Sequence, residues 1–188
     1  MAAFDLCTVA IGSVTTSAKG AKSIAFNPGL TPVAVTLDPV EVCFEPSAYG
    51  DDGTATRVNV VFRPSEEVAA SLEKVDAWIL QAAEKNSVAW FGKQKTLEQL
   101  EEGYTPMLKH SKYGPQVRAK MNLAPPAQTK LWDDEKQPRE APEQWKGAVV
   151  KPRLHLRGLY FMGGQAFGPV LECTGLQVLQ EAACSCPF

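Results

Sequence analysis

Short runs of alternating hydrophobic and polar residues fill the first third of the chain. These runs are rich in β-branched and aromatic residues and are separated by Gly, Pro, Asn and Asp, which is typical of a meander of short strands. The pattern predicts strands at 4–11, 22–26, 32–37, 40–44 and 57–62. In the last of these, Val58, Val60 and Phe62 occupy every second position, which predicts one buried face.

The hydrophobic period then changes to between three and four residues, which predicts a helix over 65–87. Ser65 is a favourable N-cap residue, and two glutamates follow it where the helix dipole favours acidic side chains. The apolar stripe of this helix consists of Val68, Leu72, Val75, Ile79 and Ala82. A second, short helix is predicted from Thr96, because Gln99 three residues later completes a capping box.

Two longer strands are predicted near the C-terminus, at 151–161 and 167–179. The residues between them are Met162-Gly163-Gly164-Gln165, and the glycine pair supplies the positive φ values of a tight hairpin. Together with the earlier strands, this hairpin predicts a mainly β protein with one long helix, that is, an α+β fold.

The segment 122–148 interrupts this pattern. It contains four prolines and many charges, and it is predicted to be an extended loop or insertion. Trp132 and Trp145 are expected either to anchor it to the body or to await a partner. We expect one domain over 1–188, which includes this insertion and ends in a short tail at 180–188.

The composition is that of an ordinary globular protein. With 45% hydrophobic and 21% charged residues among 188, general disorder is excluded, and the formal net charge of −2 excludes a strongly basic protein. No apolar run approaches the ~20 residues that a membrane helix needs, and the first residues lack the basic and apolar regions of a secretory signal. We therefore expect an intracellular protein that has no membrane partner and is not secreted.

Residues with catalytic or metal-binding chemistry are sparse. The cysteines are odd in number and are expected to be reduced thiols, and Cys184 and Cys186 are too close together for ordinary zinc spacing. The two histidines, His110 and His155, lie far apart in the sequence. Neither a G-x-x-x-x-G-K-[ST] phosphate loop nor a G-x-S-x-G nucleophile elbow is present. These features favour a non-enzymatic protein with no cofactor and no metal.

Positive charge is concentrated in the segment 106–132, which contains no acidic residue. Its five basic residues are Lys109, Lys112, Arg118, Lys120 and Lys130. Such blocks often mark an anion-binding surface, and a solvated loop is the alternative interpretation. Gln116, Arg118 and Lys120 occupy alternate positions, so they are predicted to share one face of a strand.

The most informative local pattern is the run Lys151-Pro152-Arg153-Leu154-His155-Leu156-Arg157. Because side chains alternate between the faces of a strand, the two leucines point into the core, and the four basic side chains share the opposite face. Neighbours on that face are about 6.6–6.8 Å apart, twice the strand rise. This spacing is close to the step between phosphates in a stretched single strand of nucleic acid.

Aromatic residues accompany both basic segments. Tyr160 directly follows the basic strand, Tyr113 lies within the acid-free segment, and Trp90 and Phe91 precede a lysine-rich turn. Cations that track phosphates and rings that stack on bases are the combination used in sequence-tolerant binding of single strands. An edge strand that carries charges for solubility is the alternative interpretation of the basic strand.

A family resemblance is carried by the stretch GAVVKPRLHLRGLYF at 147–161, the glycine turn and the stretch FGPVLECTGLQVL at 167–179. They resemble the last hairpin of the single-stranded DNA-binding proteins of short-tailed phages and some large DNA viruses. The upstream order of strands, a helix and a variable insertion is similar too. The resemblance implies an OB fold, a five-stranded Greek-key barrel that binds single strands across one face and its loops. It also implies that Lys151, Arg153 and Arg157 bind nucleic acid, with Tyr160 as a stacking ring.

The last residues, Cys186-Pro187-Phe188, are similar to the Pro-Phe tip with which bacterial and phage single-stranded DNA-binding proteins dock replication partners. The acidic run that precedes this tip in those proteins is missing here, where only Glu181 is near. Phe188 is therefore either a partner-docking residue or a terminal phenylalanine without that role.

Two functional hypotheses remain. The first is a sequence-tolerant single-stranded DNA-binding protein that coats strands in DNA replication, recombination or repair. It would act in the cytoplasm of a bacterial host or in the nucleus or virus factory of a eukaryotic host. The second is a β-rich structural or assembly protein of a viral particle whose basic face binds an acidic partner.

For the first hypothesis, the choice between DNA and RNA and the oligomeric state stay open. The predicted nucleic-acid-binding residues are Lys109, Lys112, Tyr113, Arg118, Lys120, Lys151, Arg153, His155, Arg157, Tyr160, Trp90 and Phe91.

Overall fold

The structure of the protein, a computed structural model, describes residues 4–48, 54–112, 114–163 and 166–182. It is 43% strand and 18% helix, which confirms the predicted α+β class with one long helix. The strands are β1 (Ile11–Thr16), β2 (Lys22–Phe26), β3 (Val33–Thr36), β4 (Val40–Val42), β5 (Arg57–Arg63), β6 (Leu108–Ser111), β7 (Gly114–Asn122), β8 (Lys130–Trp132), β9 (Val149–Met162) and β10 (Ala166–Gln180). The helices are α1 (Glu66–Lys85), α2 (Ser87–Phe91) and α3 (Leu97–Glu101).

Five of the strands close into a barrel. Neighbours pair in the order β9, β4, β5, β7 and β10, and β10 returns to pair with β9 along almost its whole length. The contact between β7 and β10 is parallel, whereas the other four contacts of the ring are antiparallel. This closed five-stranded barrel confirms the OB-like fold that the family resemblance implies.

The barrel interior contains the residues that strand alternation predicts to be buried. Leu154 and Leu156 of β9 have almost no exposed surface, and the predicted inward residues of β10 are also buried, namely Leu171, Leu176 and Val178. Val117, Ala119 and Met121 are the buried residues of β7. The intervening residues of β7 and β9 therefore project from the outer face of the barrel.

Helix α1 begins directly after Ser65, whose hydroxyl oxygen accepts a hydrogen bond from Val68 N at 3.4 Å. Helix α3 begins after Thr96 with the predicted capping box to Gln99. The carboxylate of Asp76, on the buried side of α1, accepts hydrogen bonds from the Tyr104 hydroxyl and from Met107 N. These bonds fix the segment that leads into β6. No helix in the described part of the chain is long and apolar enough to cross a membrane.

The first strand begins later than the sequence pattern predicts. Residues 4–10 lie outside the strands, and β1 starts at Ile11. Asn27, which has a φ of 47°, bonds Ala10 through its backbone and its side chain, and this turn ends the pairing of β1 with β2. Phe4 is buried without strand pairing, so the hydrophobic residues before β1 reflect packing on the core.

The segment predicted as a loop contains one strand. β8 pairs in parallel with β10 at the point where β7 leaves it, a contact between parts of the chain that are distant in sequence. The Trp145 ring is buried, and Trp132 packs so closely on Gly175 of β10 that a Cβ there would lie 2.5 Å from its ring. Both tryptophans therefore anchor the segment to the barrel.

Candidate nucleic-acid interface

Polar side chains form a row across the outer face of the barrel. The register places Asn59 of β5 beside Lys120 of β7, Lys120 beside Glu172 of β10, and Glu172 beside His155 of β9. Neighbouring strands lie about 4.8 Å apart, so the row extends over about 14 Å. The two basic strands identified in the sequence thus flank one common strand and face the same side.

A groove of about 550 Å³ on this face is the candidate site. Four of its lining residues belong to the predicted set, namely Lys109, Arg118, Lys120 and Tyr160. The short hairpin of β6 and β7 pairs Lys109 with Gln116, which places Lys109 on the same face as the cations of β7. Tyr160 follows an irregularity in the pairing of β9 with β10 and also lines the groove.

The cations of the groove are close enough to influence one another. Burial and the neighbouring Arg57 and Arg118 side chains lower the pKa of Lys120. Charges held together in this way repel, and a bound anion relieves that repulsion. Arg118 and Lys120 are exposed to solvent, so a ligand can reach them.

On β9, Arg153 and Arg157 are exposed, as the alternation predicts, while Lys151 and His155 are half-buried. Burial and the adjacent Arg157 and Arg153 lower the pKa of His155, so its ring is neutral at pH 7. Both ring nitrogens are enclosed and have no hydrogen-bond partner among the described residues. His155 therefore lies on the predicted face but adds no positive charge at neutral pH.

A buried carboxylate lies at the centre of this basic face. Glu172 accepts a hydrogen bond from Asn122 Nδ2 at 2.5 Å and another from Arg157 Nε, and the Arg57 guanidinium is 3.7 Å away. The alternation of residues along the strands does not predict this cluster. The available signal was one acidic residue within the apolar strand Val170-Leu171-Glu172-Cys173.

Trp90 and Phe91, two of the predicted stacking rings, pack against other aromatic side chains and do not line the groove, so the prediction that they stack on bases is wrong. Trp90 is only 5% exposed and packs against Phe161, with the ring centroids 6.4 Å apart. Phe91 is half-buried, contacts Phe161 and Phe167, and has the Lys95 ammonium 4.6 Å from its ring centroid. Because protein groups cover both rings, Trp90 and Phe91 are unavailable for stacking on bases.

The remaining predicted residues are distributed as follows. Lys112 is exposed in the turn between β6 and β7 and is not among the residues that line the groove. Tyr113 and Phe188 lie outside the described residues.

Metal and thiol chemistry find no support at this face. In the ranges that the structure describes, no three His, Cys, Asp or Glu side chains are close enough to hold a metal ion. Cys173 is a free, buried thiol, and burial raises its pKa to about 12, so it is not a thiolate at pH 7.

A second, larger cleft is lined mainly by residues of the 122–148 segment. Its volume is about 1050 Å³, and prolines and two tryptophans form much of its lining. Its charged lining residues are two basic and two acidic ones, namely Lys130, Arg139, Glu45 and Glu140. The excess of cations is therefore at the groove and not at this cleft.

Solved structures share this fold. The single-stranded DNA-binding protein from bacteriophage Enc34, solved in complex with single-stranded DNA, is similar with a TM-score of 0.53 and 10% sequence identity, over 92% of this chain and 97% of that chain. Gp2.5, a single-stranded DNA-binding protein of bacteriophage T7, is similar with a TM-score of 0.55 and 12% identity, over 82% of this chain and 95% of that chain. At the level of the fold, these likenesses confirm the family resemblance.

Sequence comparison gives less functional information. No curated protein matches the chain by sequence. A family model with the description "Family of unknown function (DUF5871)" matches residues 52–186, which is most of the chain. The protein therefore belongs to this family of unknown function.

Proposed function

We propose that the protein binds single-stranded DNA without regard to sequence, along the groove on the outer barrel face. The observation that carries this proposal is the convergence of Lys109, Arg118 and Lys120 on one groove that also contains Tyr160. Cations hold successive phosphates, and a ring can stack on any base, so this combination binds single strands irrespective of sequence. The Enc34 protein, which shares the fold and is solved with single-stranded DNA, supports the proposal.

The finer role is coating of exposed single strands in DNA replication, recombination or repair inside a cell. Arg153 and Lys151 continue the positive charge along β9, and Lys112 adds a cation in the turn between β6 and β7, so a bound strand can extend beyond the groove. Tyr113 remains a proposed second ring, and Phe188 a proposed contact for replication partners. RNA is a second substrate to be compared with DNA, because phosphate and stacking contacts do not distinguish the two.

A salt titration tests the proposal. Binding of labelled dT oligonucleotides is measured from 50 to 300 mM salt and compared with a duplex and with an RNA oligonucleotide. With about four phosphates neutralised, log K is expected to fall against log salt with a slope of about −3, since each contributes about −0.7 on a single strand. The double variant Arg118→Gln/Lys120→Gln should bind more weakly, with a slope shallower by about 1.4.

Lys74→Gln is the matched control, because Lys74 is an exposed lysine on helix α1 outside the groove. It should leave affinity and slope unchanged. A slope near zero, or tighter binding to the duplex than to the single strand, would contradict the proposal. In that case the assembly-protein hypothesis, in which the basic face binds an acidic protein, takes its place.

A further inference from the structure

Glu172 is the unexplained residue of the proposed interface. Its side chain is 6% exposed, although it projects from the outer, basic face of the barrel. Burying a carboxylate is costly unless it is paired and hydrogen-bonded, and Glu172 has three partners, namely Asn122, Arg157 and Arg57. These partners come from the three strands β7, β9 and β5, so one acidic side chain connects most of the face.

Glu172 is ionised at neutral pH. Burial alone raises the pKa of this carboxyl, but the hydrogen bonds from Arg157 and Asn122 and the charges of Arg157 and Arg57 outweigh burial and hold the pKa below its ordinary value. A full negative charge therefore lies between two guanidinium groups in the middle of a surface proposed to bind an anion.

Arg57 and Arg157 look available for phosphate binding when exposure alone is considered. Their side chains are 45% and 50% exposed. An arginine that is already balanced by a carboxylate, however, gains little from a phosphate, because the phosphate must compete with that carboxylate. Within the described residues, Arg118, Lys120 and Lys109 form no ion pair, so they do not have this restriction.

We propose that Glu172 is an internal counter-ion that withdraws Arg57 and Arg157 from phosphate binding and so confines the sugar-phosphate backbone to the cations of the groove. This inference rests on the proposed binding of single-stranded DNA. It also revises the expectation that Arg157 contacts the nucleic acid. The consequence is a surface that binds fewer phosphates than its exposed cations suggest, which favours release of the strand.

The opposite role would be positioning, in which Glu172 holds both arginines ready to bind phosphates. The two roles predict effects of opposite sign. If Glu172 is a counter-ion, removal of its charge strengthens binding, because two cations become available. If Glu172 positions the arginines, its removal weakens binding.

The first measurement is the salt slope of dT binding for the matched pair Arg57→Gln and Arg118→Gln. Both are arginines on neighbouring strands of the same face. Arg57 is paired with Glu172, whereas Arg118 forms no ion pair among the residues that the structure describes. Arg118→Gln should make the slope shallower by about 0.7, and Arg57→Gln should leave it unchanged. An equal loss of slope in the two variants overturns the inference.

The second measurement uses Glu172→Gln. It should steepen the slope by about 1.4 and tighten binding about tenfold at 0.2 M salt, since two more phosphates are neutralised. When Arg57→Gln is added to Glu172→Gln, the slope of log K against log salt should become shallower by about 0.7, as it does for Arg118→Gln in the native protein. Weaker binding by a folded Glu172→Gln protein overturns the inference.

Folding of each variant is checked by circular dichroism and thermal unfolding. If Glu172→Gln does not fold, the pair Arg57→Gln and Arg118→Gln decides alone. Failure of the proposed function is distinguishable, because the native protein would then show no salt-dependent binding and Arg118→Gln would have no effect. If the native protein binds and both arginine variants lose slope equally, only the counter-ion role fails.

Discussion

At the scale of single residues, the environment of His155 decides its charge. The structure holds the pKa of His155 below its ordinary value of 6.5, first through burial and then through Arg157 and Arg153. Proton NMR should therefore show that one of the two histidines titrates below pH 6.5, and His155→Asn should remove that signal. A midpoint at or above 6.5 for the signal lost in this variant would contradict the structure.

The same shift makes stability depend on pH. Because the unfolded chain holds the His155 proton more tightly than the folded protein, the free energy of unfolding falls as the pH drops below 6.5 towards the folded pKa. Above pH 6.5 His155 is neutral in both the folded and the unfolded state, so its full contribution to the free energy of unfolding is present. Urea unfolding at pH 5.5 and 7.5 should show a smaller difference for His155→Asn than for the native protein.

Leu156 lies on the buried face of β9, opposite the face that carries the basic residues. It is 1% exposed inside the barrel, so Leu156→Ala should lower the free energy of unfolding by about 2–5 kcal/mol through lost burial and a residual cavity. Arg153→Ala is the control, because Arg153 is exposed three residues earlier and should change stability by about 0.5 kcal/mol or less. Equal effects in urea unfolding would mean that β9 does not have the buried face described here.

The alternation of residues along the strands predicts on which face the cations lie, but not which acidic group pairs with them. Strand alternation placed Arg118, Lys120 and Arg153 on the outer face, because the period of two depends only on local geometry. It could not show that Glu172 lies between two basic strands, since that depends on pairing between distant segments. Trp90 was misplaced for a similar reason, because its burial comes from a contact with the C-terminal hairpin.

At the scale of elements, Gly158 determines how closely β2 approaches β9. A Cβ on Gly158 would lie 1.9 Å from Ile24 O, and its φ of 147° already disfavours other residues. Gly158→Ala should therefore destabilise the protein by more than the roughly 1–3 kcal/mol that backbone strain alone costs. Hydrogen exchange should show faster exchange of the β2 amides in this variant.

Gly163→Ala is the matched control. Its φ of 57° is also positive, but among the residues that the structure describes, apart from its chain neighbours, no atom lies within 4 Å of the added Cβ. In this variant the free energy of unfolding should fall only by the backbone strain, about 1–2 kcal/mol. The β2 amides should keep their native protection from hydrogen exchange. If the two variants are equally stable in urea, the close packing of β2 on β9 is not what constrains Gly158.

The sequence predicts those elements whose determining residues lie close together in the chain. Helix α1 has its N-cap and apolar stripe within one segment, and β9 and β10 are separated by three residues in the sequence. The sequence pattern does not predict β8, which forms by pairing with the distant strand β10. It also does not predict the short β6, which forms a local hairpin with β7 but consists mostly of polar residues. The hydrophobic residues at 4–10 have the pattern of a strand, but they pack on the core outside the strands, and periodicity does not distinguish the two.

At the scale of the whole molecule, the matched family segment does not contain the whole barrel. The family model begins at residue 52, after β4. β4 connects β9 to β5, with Val40 beside Val150 and Val42 beside Phe62, and both valines of β4 are buried. A chain that starts at residue 52 therefore lacks the strand that closes the ring.

The fragment 52–188 should consequently not unfold cooperatively, because β5 and β9 would expose unpaired edges and the apolar side chains that β2, β3 and β4 cover. The control is the fragment 18–188, which lacks residues 1–17 and therefore β1. Within the described part of the chain, β1 pairs only with β2. This control should keep a cooperative urea transition at reduced stability and should retain binding to dT oligonucleotides. A cooperative transition for 52–188 at the midpoint of the full chain would show that the barrel closes without β4 and would contradict the topology described here.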